Sequence, residues 1–93
     1  MHLADTDFPH LLQRMQQWGI TQEEIERTLN EGWAAMDAKP GTLGRVLVFA
    51  YNAEWEGRFY PEKEVTAYYK LSGAERALLT AKARYGQGFP RPR

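Results

Sequence analysis

The last third of the chain carries side chains that could bind phosphate groups and stack nucleic-acid bases. A predicted strand with alternating Thr80, Lys82 and Arg84 is followed at once by Tyr85, and the preceding predicted strand carries the pair Tyr68 and Tyr69 and then Lys70. Every second side chain of a strand points to the same face, so each strand presents a polar row. Cations interleaved with aromatic rings on a sheet can hold phosphates and stack bases. The alternative is a solvated face whose cations keep the strand soluble, and only nucleic-acid binding would weaken steeply with salt.

A second candidate pair lies near the start of the chain. His10 and Arg14 are four residues apart and so share one face of a predicted helix. A neutral imidazole can move a proton near pH 7, and a guanidinium can clamp a phosphate, so the pair suits phosphodiester chemistry. The alternative is that His10 is an exposed polar residue in the first helical turn.

The acidic residues of the second half do not form a recognisable metal site. Glutamates alternate with other residues at Glu54, Glu56, Glu62 and Glu64, but the two histidines and these carboxylates have no metal-ligand spacing. We expect ion pairs between these glutamates and the basic residues Arg58, Lys63 and Arg84. The sequence shows no phosphate-binding loop, dinucleotide-binding turn or nucleophilic serine motif, and it predicts no cofactor and no metal.

Two helices followed by strands must position these residues. The stripe of Phe8, Leu11, Leu12 and Met15 predicts a helix that begins at Pro9 and ends at Gly19. Thr21 and Glu24 have the spacing of a capping box for a second helix from about Gln22 to Gly32. The predicted strands are 33–38, 45–51, 64–71 and 76–84, with turns at 52–57 and 72–74. On the last strand, residues 77, 79, 81 and 83 are expected on one face, although a one-residue slip would change which faces meet.

This order of elements predicts an α+β fold with an N-terminal helical hairpin packed on an antiparallel sheet of about four strands. We expect a single domain over residues 1–93, divided into a helical hairpin (8–31), an antiparallel sheet (33–85) and a C-terminal turn and tail (86–93). The 93 residues contain no cysteine, and the longest apolar stretch, 46–51, is far too short to cross a membrane. A soluble cytoplasmic protein without a disulfide framework is therefore expected.

The neutral formal charge hides an asymmetry along the chain. Twelve acidic residues balance twelve basic ones, but residues 1–38 have a net charge of −5 and residues 65–93 have +5. We therefore expect the two signs to separate into a helical surface and a sheet surface, provided that Glu62 and Glu64 do not neutralise the latter. Such asymmetry points to an anionic partner.

Several motifs together resemble those of a known family. They are His10-x-x-x-Arg14-Met15, then Gly19-Ile20-Thr21 with Ile25, then EKEVTAYYK (62–70) and LLTAKARYG (78–86). From His10 to Phe89 the chain is similar to a small bacterial domain-of-unknown-function family that is grouped with the RelE-like and BrnT-like ribonuclease toxin fold. The resemblance implies a helical hairpin on a strongly curved antiparallel sheet that binds RNA and cuts it without metal.

The resemblance also implies roles for individual residues. Lys63, Lys82 and Arg84 would bind phosphate or stabilise the transition state, Tyr69 or Tyr85 would stack a base or move a proton, and His10 with Arg14 would lie at the edge of the site. The implied partners are RNA and a cognate antitoxin. The chain departs from ribonuclease toxins in being neutral rather than strongly basic. The alternative is a non-catalytic module that binds RNA or a protein, or a chain that self-associates through an exposed sheet edge.

Overall fold

The computed structural model describes residues 2–3 and 8–92, with side chains from residue 10 to residue 92. Two helices, α1 (Phe8–Trp18) and α2 (Gln22–Glu31), precede the main strands β2 (Trp33–Ala34), β3 (Leu43–Trp55), β4 (Arg58–Ser72) and β5 (Glu75–Gly86), and a two-residue strand β1 (His2–Leu3) comes first. The sheet order is β1-β5-β4-β3-β2, with β2 to β5 antiparallel and β1 parallel to β5. The predicted α+β architecture, with two helices followed by four antiparallel strands, is confirmed. The predicted domain range also includes residues 1, 4–7 and 93, which lie outside the described part.

The two helices begin and end close to their predicted limits because the signals are local. Thr21 and Glu24 form the predicted capping box, with the Thr21 amide donating to Glu24 Oε1 at 2.9 Å and the Glu24 amide donating to Thr21 Oγ1 at 3.1 Å. Gly19 ends α1 with a φ of +65°, a conformation that glycine adopts without strain. Of the predicted apolar stripe, Leu11 is buried, but Leu12 is 41% exposed. The Phe8 side chain lies outside the described residues.

The strand β2 is shorter than predicted and β3 is longer. The strand predicted over 33–38 extends only over Trp33–Ala34, because the chain then turns over the sheet, where Asp37 contacts β4 and β5. The β3 strand continues to Trp55, so the predicted turn at 52–57 shrinks to Glu56 and Gly57. A register shift between Ala50 and Ala53 lets the strand continue through this stretch.

The hairpin of β4 and β5 contains one extra residue that alternation did not predict. Tyr68 pairs with Thr80, whereas Tyr69 pairs with Leu78, so Leu79 is inserted as a bulge. The prediction that Leu79 shares a face with Ala81 and Ala83 is therefore wrong. Leu78 lies in the core with them instead, at 1% exposure.

The core lies between the helices and one face of the sheet. Its buried apolar residues come from α1, α2, the turn between them, β4 and β5, and they are Leu11, Ile20, Ile25, Leu29, Val65, Ala67, Tyr69, Leu78, Ala81 and Ala83. The opposite face of the sheet, which we call the open face, carries the alternate residues of β3, β4 and β5. The candidate polar residues of the last strand lie on this open face.

Candidate nucleic-acid interface

Strand register aligns the candidate residues in rows across the open face. One row consists of Trp33, Val46, Thr66 and Lys82, and the next of Val48, Glu64 and Arg84. On the other side of the first row, Gly44, Tyr68 and Thr80 lie level with one another. Lys82 therefore occupies the middle of the polar part of β5.

A cleft joins α1 to the open face at β5, and we call it the edge cleft. It has a volume of about 390 Å³, and its polar lining residues are His10, Arg14, Lys39, Tyr68, Thr80 and Lys82. The α1 pair thus faces the same space as Lys82 and Thr80. Since His10 and Arg14 lie one helical turn apart, the helix presents both to this cleft. The cleft brings together an imidazole, a guanidinium and two ammonium groups from three parts of the chain.

One acid, Asp37, occupies part of this cationic surface. Tyr68 donates its hydroxyl hydrogen to the Asp37 carboxylate at 2.8 Å, and Lys82 Nζ donates to Asp37 Oδ2 at 2.9 Å. The hydrogen bonds from Lys82 and Tyr68 lower the pKa of Asp37, and contacts with Tyr68 and Asp37 raise the pKa of Lys82. Burial is the main reason that the pKa of Tyr68 is raised. Lys82 is therefore a cation at neutral pH, but a carboxylate already balances its charge.

A second cavity, the face groove, lies on the open face next to the edge cleft and shares Lys82 with it. Its volume is about 450 Å³. Its floor is polar and is formed by Glu64, Thr66, Lys82 and Arg84, and its walls include Trp33, Met36, Val46 and Pro90. Both cavities fall within the size range of small-ligand sites.

Arg84 is paired with Glu64 in the floor of this groove. Arg84 Nε donates to Glu64 Oε1 at 2.8 Å, and this hydrogen bond raises the pKa of Arg84. The guanidinium also lies 4.9 Å from the centre of the Phe89 ring. Of the ion pairs expected between the second-half glutamates and Arg58, Lys63 and Arg84, this one is present, whereas Lys63 pairs with Glu24 and Glu62 with Arg91. Glu64 therefore does neutralise part of the positive charge of the sheet face.

Glu62 instead holds the C-terminal tail, residues 87–92, against the sheet. Its carboxylate accepts from the Gly88 and Phe89 amides at 2.7 and 3.3 Å and from Arg91 Nη2 at 2.6 Å. Hydrogen bonding to Arg91 is the main cause of the lowered pKa of Glu62. Glu62 therefore does not neutralise Lys82 or Arg84.

Lys63, which the resemblance implied to be a phosphate ligand, points into the protein. Its side chain is 2% exposed, and Nζ donates to the Gly19 carbonyl oxygen at 2.6 Å and to Glu24 Oε1 at 2.7 Å. The Tyr51 and Tyr85 rings lie 5.6 and 5.4 Å from the same nitrogen. Lys63 lines neither cavity, since its ammonium group donates to the turn between the helices and to α2 rather than to solvent.

The two candidate tyrosines are also part of the packed structure. Tyr69 is 4% exposed and lies in the core. Tyr85 donates its hydroxyl hydrogen to the Trp18 carbonyl oxygen at 2.5 Å and stacks on Trp55 with ring centres 4.8 Å apart. Burial raises the pKa of Tyr85. Lys70 is exposed at the end of β4 and lines neither the edge cleft nor the face groove.

Three residues of the interface were missed as candidates from the sequence. Lys39 lines the edge cleft, and Asp37 and Trp33 line the face groove, but none of the three belongs to the motifs that the sequence analysis singled out. The expected separation of charges is therefore only partial, because acids of the first third pair with lysines of the sheet through Asp37–Lys82 and Glu24–Lys63. The available signal was the run from Asp37 to Gly41, in which side chains of both signs precede a Pro-Gly turn.

Comparisons with protein-family models, with curated proteins and with solved structures found no match. Within residues 2–3 and 8–92, no group of three or more His, Asp or Glu side chains is arranged to hold a metal ion. No helix in the described part of the chain is long and apolar enough to span a membrane. The geometry of the edge cleft and the face groove is therefore the basis for assigning a function.

Proposed function

We propose that this protein is a RelE-like, metal-independent endoribonuclease of the toxin type, with the edge cleft as its active site. One observation carries the proposal: His10, Arg14, Lys39 and Lys82, from α1, the loop and β5, line a single cleft. Arg14, Lys39 and Lys82 supply positive charge, and histidine is the residue type best suited to proton transfer near neutral pH. The order of two helices followed by an antiparallel sheet agrees with the architecture that the family resemblance implies.

The proposed reaction uses the 2′-hydroxyl of RNA as the nucleophile. The His10 imidazole accepts the 2′-hydroxyl proton as the 2′-oxygen bonds to phosphorus. The bond from phosphorus to the 5′-oxygen breaks, and the leaving oxygen takes a proton from water, which gives a 2′,3′-cyclic phosphate and a 5′-hydroxyl. Arg14 and Lys82 stabilise the charge that builds on the phosphoryl oxygens. With a cellular RNA as its target, the protein would act in the cytoplasm, and its control would fall to a cognate antitoxin.

The second candidate function is RNA binding without cleavage. It is favoured by the contacts of Asp37, which occupies both the Lys82 ammonium and the Tyr68 hydroxyl. This leaves His10 as the main proton-transfer group of the edge cleft. A binding module would use the same cations, so the two functions differ in turnover rather than in affinity.

Cleavage is tested with the full chain and a fluorescently labelled single-stranded RNA in EDTA. The expected result is cleavage of RNA but not of the same sequence in DNA, with loss of cleavage in His10→Gln. The matched control is Gln16→Ala, an exposed residue of α1 that is not part of the edge cleft. If wild-type protein binds RNA but does not cut it, and its overexpression leaves growth normal, the ribonuclease proposal is wrong and the binding module remains.

Binding is tested by the salt dependence of the dissociation constant. On single strands each phosphate contact contributes about −0.7 to the slope of log affinity against log salt. Arg14→Ala and Lys39→Ala should each flatten the slope by roughly that amount. Affinity that is independent of salt would contradict both candidate functions.

A further inference from the structure

The face groove contains polar groups that the proposed phosphate contacts do not use. Glu64, Thr66 and Arg84 form a connected floor, whereas the phosphate-binding cations line the edge cleft. Of the residues that the structure describes, Lys82 alone lines both cavities. A nucleotide whose phosphate lies at Lys82 would therefore have the face groove within reach of its base.

The floor presents free hydrogen-bonding groups of both kinds. The Glu64 side chain is 11% exposed and its Oε1 accepts from Arg84 Nε, while none of the side-chain hydrogen bonds among the described residues goes to its Oε2. The Thr66 residue is 4% exposed, and no side-chain hydrogen bond among the described residues involves its hydroxyl. Since no fully buried polar atom of the described side chains lacks a partner, this hydroxyl is in contact with solvent. Arg84 uses Nε for Glu64, so its two terminal nitrogens remain donors. A carboxylate acceptor thus lies directly beside guanidinium donors.

The walls of the groove suit a flat apolar ring system. Trp33 lies on the open face because it pairs with Val46, and Pro90 of the C-terminal tail lines the groove as well. The contacts of Glu62 with the tail amides hold this part of the chain in place. Unpaired RNA bases commonly stack on aromatic side chains while polar groups read their edges.

We propose that the face groove is a guanine-binding subsite in which Glu64 and Arg84 read the base. This inference rests on the proposed function, since it takes RNA to be the ligand. The guanine N1–H and N2 amino group are adjacent donors that match a carboxylate, and O6 is an acceptor that matches a guanidinium. Adenine offers one donor and a ring acceptor on that edge, and uracil lacks the second donor. Glu64 is therefore the specificity-determining residue, and the base preference of the enzyme is for guanine.

The groove also explains how one nucleotide could contact both cavities. Lys82 lies in the same row as Thr66 and Trp33, and Arg84 lies one row further along β5. A phosphate at Lys82 would leave its base over Thr66 and Glu64 and the neighbouring phosphate toward His10. In this arrangement the guanine next to the cut site is held by the groove.

The test measures binding of the full chain to four single-stranded uridine-rich RNAs that differ at one central position, which is guanine, inosine, adenine or uracil. Inosine retains N1–H and O6 but lacks the N2 amino group. Loss of one hydrogen bond to a charged group predicts roughly tenfold weaker binding of the inosine RNA than of the guanine RNA. In Glu64→Gln this ratio should fall to about one, because the single amide oxygen pairs with Arg84 and the amide NH2 group then faces the guanine donors. In Glu54→Gln, which removes the same charge from an exposed position outside the groove, the ratio should not change.

The outcomes separate this inference from the proposed function. Salt-dependent binding with equal affinity for the guanine and inosine RNAs would overturn the guanine subsite and leave the proposed function standing. Failure to bind any of the four RNAs at low salt would overturn both. A guanine preference that persists in Glu64→Gln would overturn the role of Glu64. If circular dichroism shows that Glu64→Gln is unfolded, the comparison of guanine with inosine in the wild-type protein decides.

Discussion

Replacing Lys63 with methionine removes the cation that joins the sheet to the turn between the helices. Methionine is unbranched and apolar, so it can occupy much of the space of the lysine side chain. It cannot replace the hydrogen bonds to the Gly19 carbonyl oxygen and to the Glu24 carboxylate. Both acceptors would then lose a partner at a site where the Lys63 side chain is 2% exposed and the Glu24 side chain 18% exposed.

The expected loss of unfolding free energy follows from the burial of the Lys63–Glu24 ion pair. Removing one partner of a buried ion pair costs about 3–5 kcal/mol, because the other partner is left without compensation. The same substitution at Lys82 breaks a pair whose side chains are 46% and 58% exposed, which is worth about 0–1 kcal/mol after solvent screening. A domain of this size loses roughly 4–8 °C in Tm for each kcal/mol, so Lys63→Met should lower the Tm by at least about 12 °C.

The assay is urea and thermal unfolding of wild type, Lys63→Met and Lys82→Met, followed by RNA binding at a temperature at which all three are folded. Lys63→Met should lose stability and keep its affinity for RNA, whereas Lys82→Met should keep its stability and lose affinity. A double-mutant cycle with Glu24→Gln isolates the pair, since glutamine can still accept from the Thr21 amide of the capping box. The coupling energy of contacting residues of this kind is about 0.5–3 kcal/mol.

The reasoning is refuted if Lys63→Met and Lys82→Met differ in unfolding free energy by less than about 1 kcal/mol. It is also refuted if Lys63→Met binds RNA more weakly while it remains folded, because a lysine that faces the helices would then be contacting the ligand.

Three further predictions test other contacts. Asp37→Asn should bind RNA up to about fivefold more tightly, because it frees Lys82 from a solvent-screened ion pair. Unchanged affinity in a fluorescence anisotropy titration would contradict this. Because the pKa of Glu62 is lowered, its contacts with the C-terminal tail are complete above the ordinary carboxyl pKa and are lost as the pH falls through the lowered value. The tail amides should therefore lose protection from hydrogen exchange in acid. In Glu62→Gln they should lose it already at neutral pH. Gly19→Ala and Gly73→Ala both place a side chain at a positive φ, +65° and +63°, but only the alanine at position 19 overlaps the Trp55 ring. Gly19→Ala should therefore lose about 1–3 kcal/mol more unfolding free energy than Gly73→Ala in urea unfolding. Equal losses would contradict the predicted overlap.

The helices could be predicted from the sequence because their signals are only a few residues apart. The capping box of Thr21 and Glu24 spans three residues, and both hydrogen bonds form as expected. In the strand predicted over 64–71, apolar and polar residues likewise alternate, which places Val65 and Ala67 on one face, and both are buried. Local patterns of this kind do not depend on which distant segment packs against them.

The register of the last hairpin could not be predicted, because Leu78 and Leu79 are both apolar. Either residue satisfies the hydrophobic pattern, and the bulge is decided by the pairing of Tyr69 with Leu78 across the hairpin. A one-residue insertion changes the face of every residue on one side of it. The alternation of Thr80, Lys82 and Arg84 was nevertheless correct, since these residues all lie beyond the bulge.

The sequence predicted which residues of the candidate site lie together, but not the ion-pair partners of its lysines. The sequence indicated that His10, Arg14 and Lys82 could act together, and they line one cleft. It did not indicate that Lys63 pairs with Glu24, which is 39 residues away, or that Asp37 crosses to Lys82, 45 residues away. Ion pairs over such separations depend on the tertiary fold, and a charge count along the chain contains no information about them.

The turn between the helices has a consequence for the order in which the protein opens. Trp18 and Gly19 accept hydrogen bonds from Tyr85 and Lys63, on two neighbouring strands, and Glu24 binds Lys63 while it caps α2. The helical hairpin therefore cannot detach without breaking contacts at the centre of the sheet, and both should exchange their amide hydrogens as one cooperative unit. The segment from Ala35 to Thr42 makes no hydrogen bond to the buried Lys63. We therefore expect the edge cleft to open by movement of this segment, while α1, on the opposite side of the cleft, stays in place.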